Sequence, residues 1–153
     1  MVELAPLLRD QRKVDAEHLR ILEIFHYVFA GLAVVGISFL GFHYFLMHSV
    51  LSNPALMRDP KGDGLAAERF FALFIWFYVV FGALLLAAAL ANYLSGSFIR
   101  QRKSRTFSLV VAGLNCVQIP FGTALGVFTI VVLLRDSVRE LYDAQRSEAS
   151  AQL

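Results

Sequence analysis

The sequence predicts an all-α fold: an integral membrane helical bundle with three transmembrane helices and an amphipathic helix at each end. Of its 153 residues, 58 % are hydrophobic and 17 % are charged, and a soluble domain would expose too much of that apolar surface. The ranges 24–51, 70–99 and 106–134 contain no Asp, Glu, Lys or Arg. A helix needs about 20 residues to cross a bilayer, so each range is long enough. The length predicts a single membrane domain over residues 1–153.

Residues 1–23 form the predicted N-terminal amphipathic helix, which continues into the first span at 24–51. Its apolar side recurs at helical spacing and consists of Val14, His18, Ile21, Leu22 and Phe25. Its charged residues occupy other faces and are Asp15, Glu17, Arg20 and Glu23. We expect this helix to lie on the membrane surface, although a solvated extension without lipid contact explains the pattern equally well.

A predicted outer loop at 52–69 separates the first span from the second, which covers 70–99. The residues that favour turns in this loop are Pro54, Pro60, Gly62 and Gly64. In the second span Ala87, Ala91 and Ser95 form a ridge of small residues suited to tight helix packing. Asn92 either bonds across a helix interface or lies near the lipid headgroups, and we favour the second interpretation.

The short loop at 100–105 has four basic residues and no acidic one. They are Arg100, Arg102, Lys103 and Arg105. The positive-inside rule predicts that this loop and the N-terminus are cytoplasmic and that residues 52–69 lie outside. Attraction to anionic lipid explains the cluster better than nucleic-acid binding does.

The third apolar segment, 106–134, is too long for a straight span, because 29 residues extend about 43 Å as a helix. Pro120 predicts a kink, and a re-entrant hairpin turning at 120–123 is the alternative. The hairpin gives the better charge distribution, with eleven Lys and Arg inside against three outside, whereas three spans give eight against six. Each arm would extend only about 21 Å, too short to cross. We therefore predict three spans with a kinked third.

Polar and small residues share one face of the third segment when it is drawn as a continuous helix. They are Asn115, Gln118, Gly122, Gly126 and Thr129. A helix–helix interface is the favoured interpretation, since two glycines four residues apart allow close backbone approach. The alternative is the wall of a hydrated pore in an oligomer.

His26 and His43 are candidate ligands for haem or a pigment. They are 17 residues apart in one span, about 26 Å along a helix, so they cannot share one haem within a chain. Cofactor binding would need a second copy or a foreign subunit, and we predict no cofactor or metal for the chain by itself.

The pattern does not predict an enzyme. The three spans contain no charged side chain that could carry protons, and Ser38, Ser108 and Cys116 have no candidate base close in sequence. The tail at 135–153 is predicted to begin as an amphipathic helix with Val138, Leu141 and Tyr142 on one side.

The last segment resembles that of a group of small bacterial inner-membrane proteins. Arg105–Asn115 ends in an asparagine, Pro120–Gly126 follows as Pro-x-Gly-Thr-x-x-Gly, and Val131–Leu134 completes the similarity. Asp15–Arg20 and Phe25–Tyr27 are similar in type. The resemblance covers about half the chain. It implies a bacterial inner-membrane location and no particular activity.

These observations predict a non-enzymatic accessory or scaffold subunit of a larger or self-assembled membrane complex. Its expected partners are the lipid bilayer and either copies of itself or other membrane subunits, with no nucleic acid. An oligomeric channel lined by the polar face of the third helix is the first alternative. The second is a cofactor-associated subunit of an electron-transfer or photosynthetic complex.

Overall fold

The computed structural model describes residues 4–52 and 64–151, with the side chains of residues 11–50, 52, 72–147, 150 and 151. Within these ranges the chain is helical and has no strand, which confirms the predicted all-α class. The five helices are α1 (Leu4–Leu51), α2 (Gly64–Arg100), α3 (Arg105–Asn115), α4 (Phe121–Leu133) and α5 (Asp136–Ala151). Two stretches are long and apolar enough to cross a membrane, Gln11–Val50 and Ala72–Arg100. A third is possible if α4 and α5, bent by 69°, count as one span.

The long helices begin and end close to the predicted positions, with one correction. Helix α1 continues from the N-terminal segment through the first apolar range without a break. Helix α2 begins at Gly64, so the predicted loop does not extend to Arg69, because the Ala and Glu residues at 66–68 favour a helix. The turn prediction for Pro54, Pro60 and Gly62 lies outside the described residues.

Contacts divide the chain into two compact units, Ala30–Leu90 and a second unit made of Met1–Phe29 with Ala91–Leu153. In the first unit, α1 and α2 pack antiparallel. A Cβ atom added to Gly36 would lie 3.5 Å from Leu85, and one added to Gly82 would lie 3.6 Å from Leu40. An added Cβ atom would thus make only ordinary van der Waals contact at either position, so α1 and α2 lie side by side here without requiring a glycine.

In the second unit, α1 buries the side chains of Asp15, Leu19, Leu22 and His26. Val14, Ile21 and Phe25, which belong to the predicted apolar side, are 45 %, 41 % and 49 % exposed. Their exposure is compatible with a helix that lies on the membrane surface, and that placement stays a prediction. The polar part of the buried face was not predicted, because the partners of Asp15 and His26 are far away in sequence.

The third apolar segment reverses direction and is not one kinked helix. Helices α3 and α4 pack against each other along their length, with Gly122 opposite Asn115 and Gly126 opposite Ala112, which makes them antiparallel. The prediction of a kinked third span was therefore wrong, and the hairpin alternative describes the structure. Pro120 ends the first arm because it lacks a donor and would clash with the Cys116 carbonyl.

The core of this unit lies where α1, α2 and the hairpin meet α5. It is built from Leu19, Leu22, Ile99, Leu125, Val132, Leu133, Val138 and Tyr142. Val138 and Tyr142 form the buried side of α5, and Leu141 beside them is half-buried. Helix α5 is therefore amphipathic, as the tail was predicted to be.

The basic loop is held by a Schellman motif at the end of α2. The N–H of Lys103 donates to the Phe98 carbonyl (2.8 Å) and that of Arg102 to the Ile99 carbonyl (3.1 Å). Arg102 takes the left-handed conformation, with φ of 50°. Glycine is the usual residue at this position because it has no Cβ.

Candidate functional site

A buried cluster of four polar side chains joins four helices in the second unit. His26 comes from α1, Asn92 from α2, Asn115 from α3 and Thr129 from α4. All four are buried. Buried polar groups carry a free-energy cost unless they find hydrogen-bond partners, so the bonds of this cluster decide how the helices fit together.

The two asparagines form a reciprocal pair, and the histidine joins it. Asn115 Nδ2 donates to Asn92 Oδ1 (2.8 Å) and Asn92 Nδ2 donates to Asn115 Oδ1 (3.2 Å). His26 Nδ1 lies 3.0 Å from the same Asn92 oxygen. Because a carbonyl oxygen only accepts, this contact assigns the ring proton to Nδ1.

Thr129 closes the cluster on the α4 side. Its hydroxyl donates to the Leu125 carbonyl (2.8 Å) and lies 3.4 Å from His26 Nε2. The second distance is long for a hydrogen bond. The cluster therefore uses most of its polar groups internally, and its evident role is to fasten the hairpin to α1 and α2.

Asn92 was predicted to lie near the headgroups, and that prediction was wrong. Its carboxamide lies inside the unit, bonded to His26 and Asn115. The predicted ridge is also incomplete, because Ser95 is buried but Ala87 is exposed. The sequence signal for the true interface was the polar pair Asn92 and Asn115, one on each side of the basic loop.

A second polar cluster joins α1 to the start of α5. The Asp15 carboxylate is buried; it accepts from Arg135 Nη1 (3.1 Å) and from the Ser137 hydroxyl (2.6 Å). His18 Nδ1 lies 3.2 Å from the same Arg135 nitrogen. The sequence analysis missed this site. The available signal was that Asp15 lies four residues before the apolar Leu19, and residues four apart share one face of a helix.

Glycines in α4 bring the arms of the hairpin together. A Cβ atom at Gly122 would clash with the main-chain oxygen of Asn115, and one at Gly126 would clash with that of Ala112. The Thr123 hydroxyl donates to the Cys116 carbonyl (2.8 Å). It replaces the hydrogen bond that Pro120 cannot donate to this carbonyl, because proline has no N–H. Both glycines lie in the interface between the arms.

Gln118 lies apart from the other residues of the predicted polar face. It is exposed in the turn between α3 and α4, and its carboxamide forms no hydrogen bond with the described part of the chain. Its neighbours Val117, Ile119 and Phe121 are 78 %, 84 % and 78 % exposed. We call residues 117–121 the hairpin tip: an apolar surface with one amide in it.

The basic residues of the 100–105 loop separate into two groups. Arg100 lies 3.9 Å from Glu23 in an exposed ion pair, which contributes little stability. Arg102, Lys103 and Arg105 line a cavity of about 810 Å³ together with Arg139 and Arg146 of α5. We call this the basic cavity. Asp143 is its one acidic lining residue among the described side chains.

Tyr142 also lines the basic cavity and is 7 % exposed. Its hydroxyl is buried and has no hydrogen-bond partner among the described residues. Burial raises the pKa of the Tyr142 phenol to about 12, against the opposing effect of Arg102 and Arg105. The hydroxyl is therefore a neutral donor near neutral pH, with no acceptor assigned to it.

The candidate cofactor ligands lie in different surroundings. His26 is enclosed in the polar cluster, and His43 Nδ1 lies 2.6 Å from the Tyr78 hydroxyl in the first unit. No group of three or more His, Cys, Asp or Glu side chains among the described residues could hold a metal ion. Comparisons with protein-family models, curated proteins and solved structures find no match to the chain.

Proposed function

We propose that the chain is a non-enzymatic integral membrane protein that serves as an accessory or scaffold subunit of a larger or self-assembled membrane complex. A bacterial inner membrane is the proposed location, with the N-terminus and residues 100–105 on the cytoplasmic side. The resemblance of the last segment supports this location, and the four basic residues of the loop support this orientation.

The apolar outer surface supports the membrane location. Large hydrophobic side chains are exposed along α1 and α2, for example Phe39, Trp76 and Leu84. Exposed apolar surface of this extent is unfavourable in water and matches the hydrocarbon region of a bilayer. The candidate spans Gln11–Val50 and Ala72–Arg100 carry much of it.

The single observation that supports assembly with other subunits is the exposed Gln118 amide at the hairpin tip. Helix α4 has 13 residues and extends about 20 Å, so a hairpin with its basic end at the membrane surface places its tip inside the hydrocarbon, about 30 Å thick. An amide without a partner there costs roughly 2–7 kcal/mol. Turns at this depth are tolerated where protein covers them, so a partner subunit or a second copy covers the tip.

The polar cluster gives less support to the alternatives. In the pore hypothesis Asn115 and Thr129 face water, yet both are buried and bonded within the unit. In the cofactor hypothesis iron would bind His26 Nε2, yet the ring is fully buried and this nitrogen lies 3.4 Å from the Thr129 hydroxyl, so Thr129 would have to move first. The accessory-subunit proposal requires neither rearrangement.

Native mass spectrometry of the full chain, extracted gently from its own membrane, tests the proposal. We expect species heavier than the 17.1 kDa chain. Gln118→Leu should weaken the association about fivefold, the effect of losing about 1 kcal/mol of hydrogen bonding. The matched control is Val131→Leu, an exposed position on α4 away from the tip, which should leave the association unchanged.

Two results would count against the proposal. One is a 17.1 kDa species alone under every mild extraction. The other is a complex that Gln118→Leu and Val131→Leu leave equally intact. That result would show that the hairpin tip is not the contact between subunits.

A further inference from the structure

The basic cavity concentrates positive charge that the described chain does not neutralise. Five basic side chains line it: Arg102, Lys103, Arg105, Arg139 and Arg146. None of them forms an ion pair with any side chain in the described ranges, in contrast to Arg100 and Arg135 elsewhere. Asp143 offsets one of the five charges. Like charges held close together repel one another, so an anionic ligand would stabilise this arrangement.

Uncharged donors line the same cavity. Arg105 and Thr106 begin α3, and the first N–H groups of a helix have no acceptor within it. Tyr142 adds a buried hydroxyl without a partner among the described residues. The cavity therefore combines positive charge with main-chain and side-chain donors, and these are the groups that hold phosphate oxygens.

Arg102 lines the cavity in a backbone conformation that disfavours any residue with a side chain. It has φ of 50°, in the left-handed region, at the Schellman position where glycine is usual. A non-glycine residue is less stable there because its Cβ lies too close to the following carbonyl oxygen. Strain of this kind is typical of residues whose side chains are needed for a specific contact, and Arg102 forms no ion pair with a side chain in the described ranges.

We propose that the basic cavity binds a phosphate group that carries an organic substituent, supplied either by an anionic phospholipid headgroup or by a soluble phosphate compound. A volume of about 810 Å³ exceeds what one phosphate needs and falls in the range of small-molecule sites. Arginines on two elements, the loop and α5, can grip the phosphate from opposite sides through paired N–H groups. This site goes beyond the proposed subunit role, because a single chain contains all of it.

The experiment uses the full chain in a neutral detergent and two probes. Native mass spectrometry measures retention of phosphatidylglycerol against phosphatidylcholine, and calorimetry measures binding of inorganic pyrophosphate. The test variant is Arg139→Gln/Arg146→Gln. The matched control is Arg12→Gln/Arg20→Gln, which removes two exposed arginines from α1 outside the cavity.

We expect the test variant to weaken binding about tenfold and the control to leave it unchanged, because two charge-assisted contacts are lost only in the first. Lys103→Gln, on the loop side of the cavity, should weaken it about threefold. An effect confined to phosphatidylglycerol identifies a lipid headgroup as the source, and an effect confined to pyrophosphate identifies a soluble compound.

Equal binding by the test and control variants for both probes would overturn the proposal. All substituted positions are exposed, and circular dichroism of each variant reports whether the helices are retained. Because the binding is measured on single chains, its loss is distinguishable from a failure to assemble.

Discussion

Asn92 illustrates how one carboxamide can determine the contacts of three helices. Its oxygen accepts from Asn115 and His26, and its nitrogen donates back to Asn115. Water does not compete for these bonds because all three side chains are buried. Removing Asn92 would therefore take hydrogen-bond partners from three atoms inside the unit: His26 Nδ1, Asn115 Nδ2 and Asn115 Oδ1.

At this scale we predict that Asn92→Leu lowers the free energy of unfolding by roughly 2 kcal/mol, the cost of leaving buried donors and acceptors unsatisfied. Denaturant titration of the detergent-solubilised chain, followed by circular dichroism, measures the effect. Asn115→Leu should behave similarly, and the double variant should lose less than the sum of the two by about 1 kcal/mol. The control is Gln118→Leu, an exposed amide, which should leave the stability of the single chain unchanged. Strictly additive losses would show that the amide pair does not contribute as described.

The residues also show where sequence patterns reach their limit. The polar character of Asn115 and Thr129 was visible in the sequence, but their partners were not, because Asn92 and His26 lie 23 and 103 residues away in sequence. The burial of Asp15 was not predicted for a similar reason: its partner Arg135 is 120 residues away. Periodicity describes one helix at a time and does not report what packs against it.

At the scale of elements, the hairpin of α3 and α4 depends on backbone contact between its arms. Gly122 and Gly126 face main-chain atoms of α3, which cannot rotate away as a side chain can. Gly113, on α3 itself, has nothing within 4 Å of the position that its Cβ would take. The same substitution should therefore have opposite effects at these sites.

We predict that Gly126→Ala destabilises the chain by about 2 kcal/mol because the added methyl group forces the arms apart. Gly113→Ala should stabilise it by about 0.5–1 kcal/mol, since alanine favours a helix more than glycine does. Denaturant unfolding in detergent, monitored by circular dichroism, measures both changes in the free energy of unfolding. Destabilisation by both variants to a similar extent would contradict the close contact at Gly126.

The interruption of the third apolar segment was predictable from the sequence, but the hairpin that results from it was not. Pro120 indicated an interruption, and the distribution of Lys and Arg favoured a hairpin. The short arms argued against it, because an arm that crosses the bilayer alone needs about 20 residues. That argument treats each arm as an independent helix, whereas the glycine contacts join α3 to α4 and the polar cluster joins both to α1 and α2.

At the largest scale that the contacts describe, the second unit, the reversal of the third segment brings the tail back to the basic loop. Residues 102–106 and 139–146 line one cavity, so α5 returns to the side of the basic loop. Asp15 near the start of α1 bonds Arg135 and Ser137 at the same end of this unit. The N-terminal segment, the basic loop and the tail therefore lie together.

We predict that single cysteines at Gln101 and Ser147, introduced in a Cys116→Ala chain, react with a membrane-impermeant maleimide from the same side. The physical reason is that the hairpin adds no crossing between them. Ser52→Cys, at the other end of α1, serves as the opposite-side control. Labelling of Gln101→Cys and Ser147→Cys from opposite sides would contradict this prediction and support the three-span topology.

The pairing of Asp15 with Arg135 and Ser137 also bears on how the chain is made. His43 and Tyr78 are separated by 35 residues and can meet while synthesis continues. Asp15 must wait for residues that follow it by 120 and 122 positions, and long-range contacts form late. A chain released before residue 135 would lack both the cation and the hydroxyl that bind this carboxylate. The junction of α1 with α5 therefore forms only after residue 137 has been made.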